Sequence, residues 1–201
     1  IGGDATKLPA VTARALMTGM TTDTNNFKNS VFPSTLEMAS SLLAAGVDRD
    51  EIISRLYQSG RENSVRLWGY MLYENLKITS DGVAYMILNA ETARKFDLKE
   101  GETEGLVNEP LKIDNVRMSI FLKEDGDGFY RVSIRTKKGV SAVKCSASYF
   151  HGGGHENASG GRLFFKPVDG RPADISAPEE AEKYIIDKTS VYFADGSYES
   201  R

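Results

Sequence analysis

Val116-Arg117-Met118-Ser119-Ile120-Phe121-Leu122 and Phe129-Tyr130-Arg131-Val132-Ser133-Ile134 flank the tetrapeptide Asp125-Gly126-Asp127-Gly128. Apolar side chains recur at every second position on both sides, the period of a strand with one buried face. The Asp-Gly pairs between them tolerate the positive φ that a tight hairpin turn demands. A hairpin here makes the second half of the chain a sheet-containing unit, and the neighbouring segments are read against it. Residues 83–88 form a compact β-prone run, with a short helix expected over 90–96. Residues 141–150 read as a helix running directly into three glycines, residues 163–165 as a strand, and 177–188 as a capped helix with Pro178 in its first turn.

The first half has a different texture. Residues 9–20 place Val11, Ala15, Leu16 and Met20 at helical spacing, and Gly19 marks a point of loosening. Ser34-Thr35-Leu36-Glu37 matches a capping box and opens an amphipathic run expected to stop near Gly46. Asp48-Arg49-Asp50-Glu51 is a second start signal, and residues 64–76 a further helix carrying Val65, Leu67, Trp68, Met71 and Leu72. Helices first and mixed elements second predict an α/β protein of two units, with the boundary in or just after the helix ending near Leu76.

Composition narrows the function. The chain has 201 residues, a formal net charge of −3, 40% hydrophobic and 26% charged residues, the balance of a folded globular protein. A lone Cys145 rules out an internal disulfide framework and a cysteine-cluster zinc site. No apolar run is long enough for a membrane helix, and the mild acidity argues against a broad basic duplex-binding surface. Only two histidines occur, His151 and His155.

Three segments carry chemistry. In His151-Gly152-Gly153-Gly154-His155 the successive glycines allow close backbone approach to a ligand, read here as an amide-lined phosphate concavity with His155 beside it to donate to a phosphate oxygen or stack on a base. The competing reading is an ordinary glycine-rich turn. A lipase-type oxyanion loop would need a Gly-x-Ser-x-Gly elbow, which the sequence lacks. A zinc pair from His151 and His155 would need a helix that three glycines do not hold. In the second segment, Gly19 to Phe27, hydroxyls flank Asp23 just after a helix, an arrangement suited to a carboxylate that ligates a divalent metal and equally to a plain turn or cap residue. The third, Val132-Ser133-Ile134-Arg135-Thr136, puts Ser133 and Arg135 on one face of a strand, where they could grip a phosphate or belong to a solvated polar face.

In this order the segments resemble the C-terminal part of a DHH-family phosphoesterase bearing a DHH-associated domain. More narrowly, the chain is similar to the bacterial bifunctional oligoribonucleases (nanoRNases) that also act as 3′-phosphoadenosine 5′-phosphate phosphatases. Thr22-Asp23-Thr24 resembles the family's last catalytic motif. Glu104-Gly105-Leu106-Val107-Asn108 resembles its Glu-Gly-Leu/Phe-Val-Asn segment, and Ser133-Ile134-Arg135-Thr136 its Ser-x-Arg-Ser/Thr strand. The run from Gly152 through His155 to Gly160 resembles its glycine–histidine signature. Two positions depart from the pattern: Asn25 stands where the family usually has Gly, and Lys28 where it often has Arg.

The resemblance implies residues 1–62 as the helical end of a DHH catalytic domain, 63–79 as a linker helix and 80–201 as the smaller mixed α/β substrate-binding domain. It implies two-metal hydrolysis, usually with Mn²⁺ and with Mg²⁺ as the alternative ion, in which Asp23 is a metal ligand and catalytic residue. Ser133, Arg135, Gly152, Gly153, Gly154 and His155 would bind substrate. Short oligonucleotides, dinucleotides or 3′-phosphoadenosine 5′-phosphate are the implied substrates, and cyclic-di-AMP or its linear product a related one. A cytoplasmic protein with no membrane partner is expected, and a homodimer is compatible with it. A cleft between two linked domains would favour substrates of a few nucleotides. The family carries an Asp-x-Asp motif and an Asp-His-His motif upstream of these segments; no Asp-His-His occurs in these residues, and the chain opens Ile1-Gly2-Gly3-Asp4 without Met. The expectation is therefore that the remaining metal ligands lie upstream of the residues given. The alternative is a nucleotide or single-stranded nucleic-acid binding module without hydrolysis; a single-strand exonuclease would call for basic, aromatic-rich channels.

Overall fold

The computed structural model describes residues 7–28, 30–126, 128–168, 170–196 and 198–199, so the chain's opening residues and Asp127 of the hairpin turn lie outside the described residues. Two compact units meet at Gly60 and Arg61.

The first unit is helical: α1 (Ala10–Asp23), α2 (Pro33–Ala44) and α3 (Arg49–Tyr57) close on a small core of Ala13, Met17, Ala39, Leu42 and Ile52. Gly19 does not loosen α1, which runs four residues past it to Asp23. The expected Ser34–Glu37 capping box is not what starts α2. Pro33 occupies the first turn and the Thr35 hydroxyl accepts from the Phe32 amide at 3.2 Å, because Pro at the first helical position sets the start one residue earlier. Gly46, at φ 86, turns the chain out of the helix and donates its amide to Leu43 O. Asp48 caps α3 by accepting from the Glu51 amide.

The second unit is a mixed α/β fold, as the hairpin predicts. Its strands are β1 (Lys77–Ile78), β2 (Val83–Leu88), β3 (Met118–Asp125), β4 (Phe129–Thr136), β5 (Gly153–His155) and β6 (Ala158–Phe164), in the spatial order β1-β2-β3-β4-β6-β5. All neighbours are antiparallel except β2 and β3. Helix α4 (Glu62–Tyr70) precedes the sheet and α5 (Ala90–Lys95) follows β2, while α6 (Ala142–Tyr149) and α7 (Ala181–Ala194) come after the hairpin. The helix expected over 64–76 ends as an α-helix at Tyr70 and widens into a π turn over Met71–Asn75. The helix expected from residue 177 opens as a 3-10 turn, Pro178–Glu180, and α7 then runs on to Ala194. A second 3-10 segment, Leu106–Lys112, and the short β1 were not foreseen.

The sheet is covered unequally. One face, carrying Met118, Ile120 and Leu122 of β3 with Tyr130, Val132 and Ile134 of β4, packs on Ala142 and Cys145 of α6 and on Ile185 and Tyr192 of α7. The other face is covered mainly over β2 and β3, where Met86, Leu88 and Phe121 meet Leu67 and Met71, with Leu106 and Val107 of the 3-10 segment, which also touches β4. Alternation within β4 then turns Arg131, Ser133 and Arg135 to an open side, while Tyr130, Val132 and Ile134 stay buried.

Leu67 tests whether α4 belongs to the second unit's core. It is fully buried, so Leu67→Ala should cost about 2–5 kcal/mol. Urea unfolding of residues 61–201 should register that loss; an unchanged midpoint would place α4 outside the fold it covers.

Candidate functional site

The register of β3, β4, β6 and β5 determines which side chains share the open face. Ser119 pairs with Arg135, Arg135 with Ala158 and Ala158 with His155; Phe121 pairs with Ser133, Ser133 with Gly160 and Gly160 with Gly153. Paired residues in neighbouring strands point to the same side, so Ser133, Arg135, Gly153 and His155 lie on one surface. Arg135 and His155 stand two strand spacings apart, about 10 Å.

Ser133 and Arg135 line a cavity of about 490 Å³ whose other walls include Glu104, Gly105, Phe121 and Lys123. The placement of Glu104 and Gly105 follows from packing. Trp68 of α4 donates its indole N–H to Glu102 O at 2.8 Å. Gly105, at φ 87, lies against that ring, where a Cβ would stand 3.4 Å from the indole carbon. Arg61 holds the same turn through Glu102 at 2.7 Å and Asp97 at 2.9 Å. The Glu102 carboxyl is held below the usual range chiefly by Arg61, and Asp97 by Lys99 and then Arg61.

Arg135 is half-buried and, among the described residues, has no carboxylate partner. One guanidinium nitrogen donates to Ile134 O at 2.9 Å and to Ser159 O at 3.3 Å. Burial lowers its pKa, since desolvation disfavours the charged form. Across the register, the buried Ser119 hydroxyl has no hydrogen-bond partner among the described residues. A partly desolvated guanidinium without a counter-charge is a group that an incoming anion satisfies.

The glycine run differs from the expected concavity. Gly153–His155 is the edge strand β5, paired to β6 through the turn at Glu156 and Asn157, and the strand expected over 163–165 begins at Ala158. Two of the three glycines are there for close packing. A Cβ on Gly152 would collide with Gly160 O and the Ser146 hydroxyl, which itself donates to Gly160 O at 2.5 Å, and a Cβ on Gly154 would meet Ala158 O at 2.8 Å. Gly153 meets nothing within 4 Å, so it bares the backbone of the open face. His151 points elsewhere, with Nε2 2.7 Å from Asp174, and the two histidines have separate settings.

Asp23 is the last residue of α1, in the first unit, and its carboxylate is exposed with no hydrogen bond or ion pair among the described residues. The flanking hydroxyls do not hold it. Thr21, Thr22 and Thr24 donate back to Met17 O, Gly19 O and Met20 O along their own helix. After Asp23 the chain turns left-handed at Asn25, Asn26 and Phe27 (φ 48, 58 and 62), which explains why glycine suits the first of these positions and Asn substitutes for it. Arg49 pins this turn, donating to Asn26 Oδ1 at 2.6 Å. Asp23 thus fits as a single free carboxylate ligand. Among the described residues no three His, Cys, Asp or Glu side chains gather into a metal site. Lys123 and Glu104 line the Arg135 cavity without having been assigned a role from the sequence; the alternation of β3 was the signal for Lys123, and nothing local signalled Glu104 beyond its motif.

Cys145 offers no nucleophile. It is buried in the helix-covered core, and burial pushes its thiol up to about 12.

Residues 80–164 match the DHHA1 domain family. The chain is 35% identical over 162 residues to a probable bifunctional oligoribonuclease and PAP phosphatase NrnA of Streptococcus mutans, covering 79% of this chain and 50% of that protein. It is 29% identical over 162 residues to the bifunctional oligoribonuclease and PAP phosphatase NrnA of Bacillus subtilis, with 79% and 49% covered. The chain therefore spans about half the length of the curated relatives it matches. A crystal structure of an exopolyphosphatase-related protein from Bacteroides fragilis superposes with a TM-score of 0.83 at 34% identity, over 97% of this chain and 54% of that one.

The glycines separate folding from ligand contact. Gly152→Ala should lower the melting temperature by several degrees, because backbone and Ser146 must move. Gly153→Ala should leave it within about a degree while filling the open face. Circular dichroism melts of the two variants check this, and equal losses would contradict the packing.

Proposed function

We propose that this chain, whose residues 80–164 match the DHHA1 domain family, is the substrate-gripping part of a phosphoesterase acting on short oligonucleotides, dinucleotides or 3′-phosphoadenosine 5′-phosphate. The observation that carries the reading is the convergence of Ser133, Arg135, Gly153 and His155 on one open sheet face, with Arg135 half-buried and lacking a carboxylate partner among the described residues. The names of the two NrnA relatives, oligoribonuclease and PAP phosphatase, support the substrate class.

Each residue has a chemical task in this reading. Arg135 presents its planar fork to phosphate oxygens, and Ser133, one row along the same strand face, adds a hydroxyl donor. His155, exposed at the sheet edge, donates to a second phosphate oxygen or stacks on a base, and the absent side chain of Gly153 lets the nucleotide approach the strand. Glu104 on the cavity wall accepts from a ribose hydroxyl or an exocyclic amine. Asp23, free of other partners, would hold one divalent ion, with Mn²⁺ the expected metal. When bound, the ions supply charge stabilisation at phosphorus and a nucleophile at neutral pH. The chain's own contribution is to fix the phosphate and the nucleoside while that chemistry proceeds.

Arg135→Ala and His155→Ala should each weaken dinucleotide binding by roughly ten- to a hundred-fold, the worth of a hydrogen bond to a charged group. Calorimetric titration of this chain reads that loss, and unaltered affinity in both variants would sink the assignment. In protein extended to the length of its relatives, Asp23→Asn should abolish Mn²⁺-stimulated turnover of a labelled dinucleotide with the melting temperature preserved. Near-normal turnover removes Asp23 from the metal site, and binding without turnover in the unmutated extended protein favours a binding module.

A further inference from the structure

The open face does not end at Arg131. Toward the hairpin turn, β4 carries Phe129 on the same side, and across the register β6 presents Arg162 opposite Arg131 and Phe164 opposite Phe129. These side chains border a cavity of about 710 Å³ together with Arg171, which comes from the turn after β6. That turn is closed by two backbone hydrogen bonds between Val168 and Arg171, at 2.9 and 3.1 Å, so Arg171 is presented by a defined bridge.

The arginines are held in a way that suits a ligand. Phe129 and Phe164 pack with centroids 5.6 Å apart and are nearly fully buried. The Arg162 guanidinium lies 5.1 Å from the Phe129 centroid, and that of Arg171 lies 5.3 Å from the Phe164 centroid. Each guanidinium lies within cation–π distance of its ring and borders the cavity with its N–H donors. Arg131 is paired with Asp125 at 2.7 Å, whereas Arg162 and Arg171 make no ion pair among the described residues. Two uncompensated guanidiniums on aromatic platforms match a phosphodiester flanked by a base. The rings themselves are covered, so a base would stack on the outward guanidinium planes, a contact that inorganic phosphate alone does not use.

We infer that Arg162 and Arg171, stacked on Phe129 and Phe164, form a second, distal subsite that takes the phosphodiester and base of a further nucleotide of a single-stranded oligonucleotide. The inference rests on the proposed function and extends it, since four residues of strand, about 13 Å, separate Arg131 from Arg135. That span exceeds the reach of one phosphodiester and suits a short strand laid along the sheet face. Phe129, Arg162 and Phe164 lie within residues 80–164, the part that matches the domain family, and Arg171 lies beyond it.

Fluorescence anisotropy of this chain with end-labelled di- and pentanucleotides, in chelator to prevent turnover, tests it. The pentanucleotide should bind about ten-fold more tightly than the dinucleotide. The double variant Arg162→Gln, Arg171→Gln should abolish that ratio without changing dinucleotide affinity. It should also make the dependence of log K on log salt shallower by roughly 1.4, two single-strand phosphate contacts at about 0.7 each. A control with two cations removed from α7 on the opposite face, Lys183→Gln, Lys188→Gln, should leave the ratio intact. A pentanucleotide advantage that survives the arginine variant, is absent from the unmutated chain, or falls equally in the α7 control overturns the distal subsite. Dinucleotide binding that ignores Arg135→Ala and His155→Ala, beside an arginine-dependent length effect, overturns the proposed function instead and leaves the distal subsite standing.

Discussion

Strand β3 is buried on both faces, and the rest of the second unit is arranged around that fact. Met118, Ile120 and Leu122 enter the core under α6 and α7, while Phe121 enters the second core under α4 and the 3-10 segment. Apart from the 3-10 segment, which also touches β4, the second cover stops at β3, and the side chains of β4 explain why. Beyond Phe121 the next residues across the sheet are Ser133 and, one row on either side, Arg131 and Arg135. Extending an apolar cover over them would strip water from guanidiniums with nothing to replace it, at a cost of several kcal/mol per group. The open face is thus the consequence of placing polar side chains on every second position of β4, and the cavity beside Ser133 and Arg135 lies where the hydrophobic layer stops.

Close packing of backbone on backbone sets the far edge of that face. Gly161 approaches Phe150 O and Gly152 approaches Gly160 O too closely for any side chain, so the end of α6, β5 and β6 are drawn together. Ser159 donates to Ala142 O and Ser146 to Gly160 O, fastening α6 to β6 from both ends. Because β5 and β6 are then aligned residue by residue, His155 is placed in the row of Arg135. A one-residue slip would move His155 to the helix-covered face. The glycines therefore act on the site through register as much as through access.

How much of this was legible in the sequence can be followed residue by residue. The alternation of residues 116–122 and 129–134 located the hairpin, and with it the shared face of Ser133 and Arg135, because a period of two survives any detail of packing. The hairpin strand β5 was not legible. Three glycines carry no hydrophobic period and read locally as a turn, and only pairing with β6 makes them a strand. The same small residues, Ser159, Gly160 and Gly161, concealed the first half of β6. Around Asp23 the sequence placed hydroxyls beside an acid, yet each threonine bonds to its own helix, a local competition that spacing alone does not resolve. The role of Trp68 under Gly105 depends on a contact across 37 residues of chain and left no local trace.

Net charge is the weakest guide to what this chain grips. A formal charge of −3 argues against a broad basic duplex-binding surface and leaves room for a local phosphate pocket, because acids are spent locally: Asp97 and Glu102 on Arg61, Glu182 on Lys77, Glu109 on Lys112, Glu51 on Arg55. None of these pairs includes Arg135, Arg162 or Arg171. At physiological ionic strength, charges more than about 8 Å away are largely screened, so an approaching phosphate responds to the few guanidiniums beside it and hardly to the sum over the molecule. Screening turns the placement of cations on one sheet face, rather than their number in the chain, into the determinant of binding.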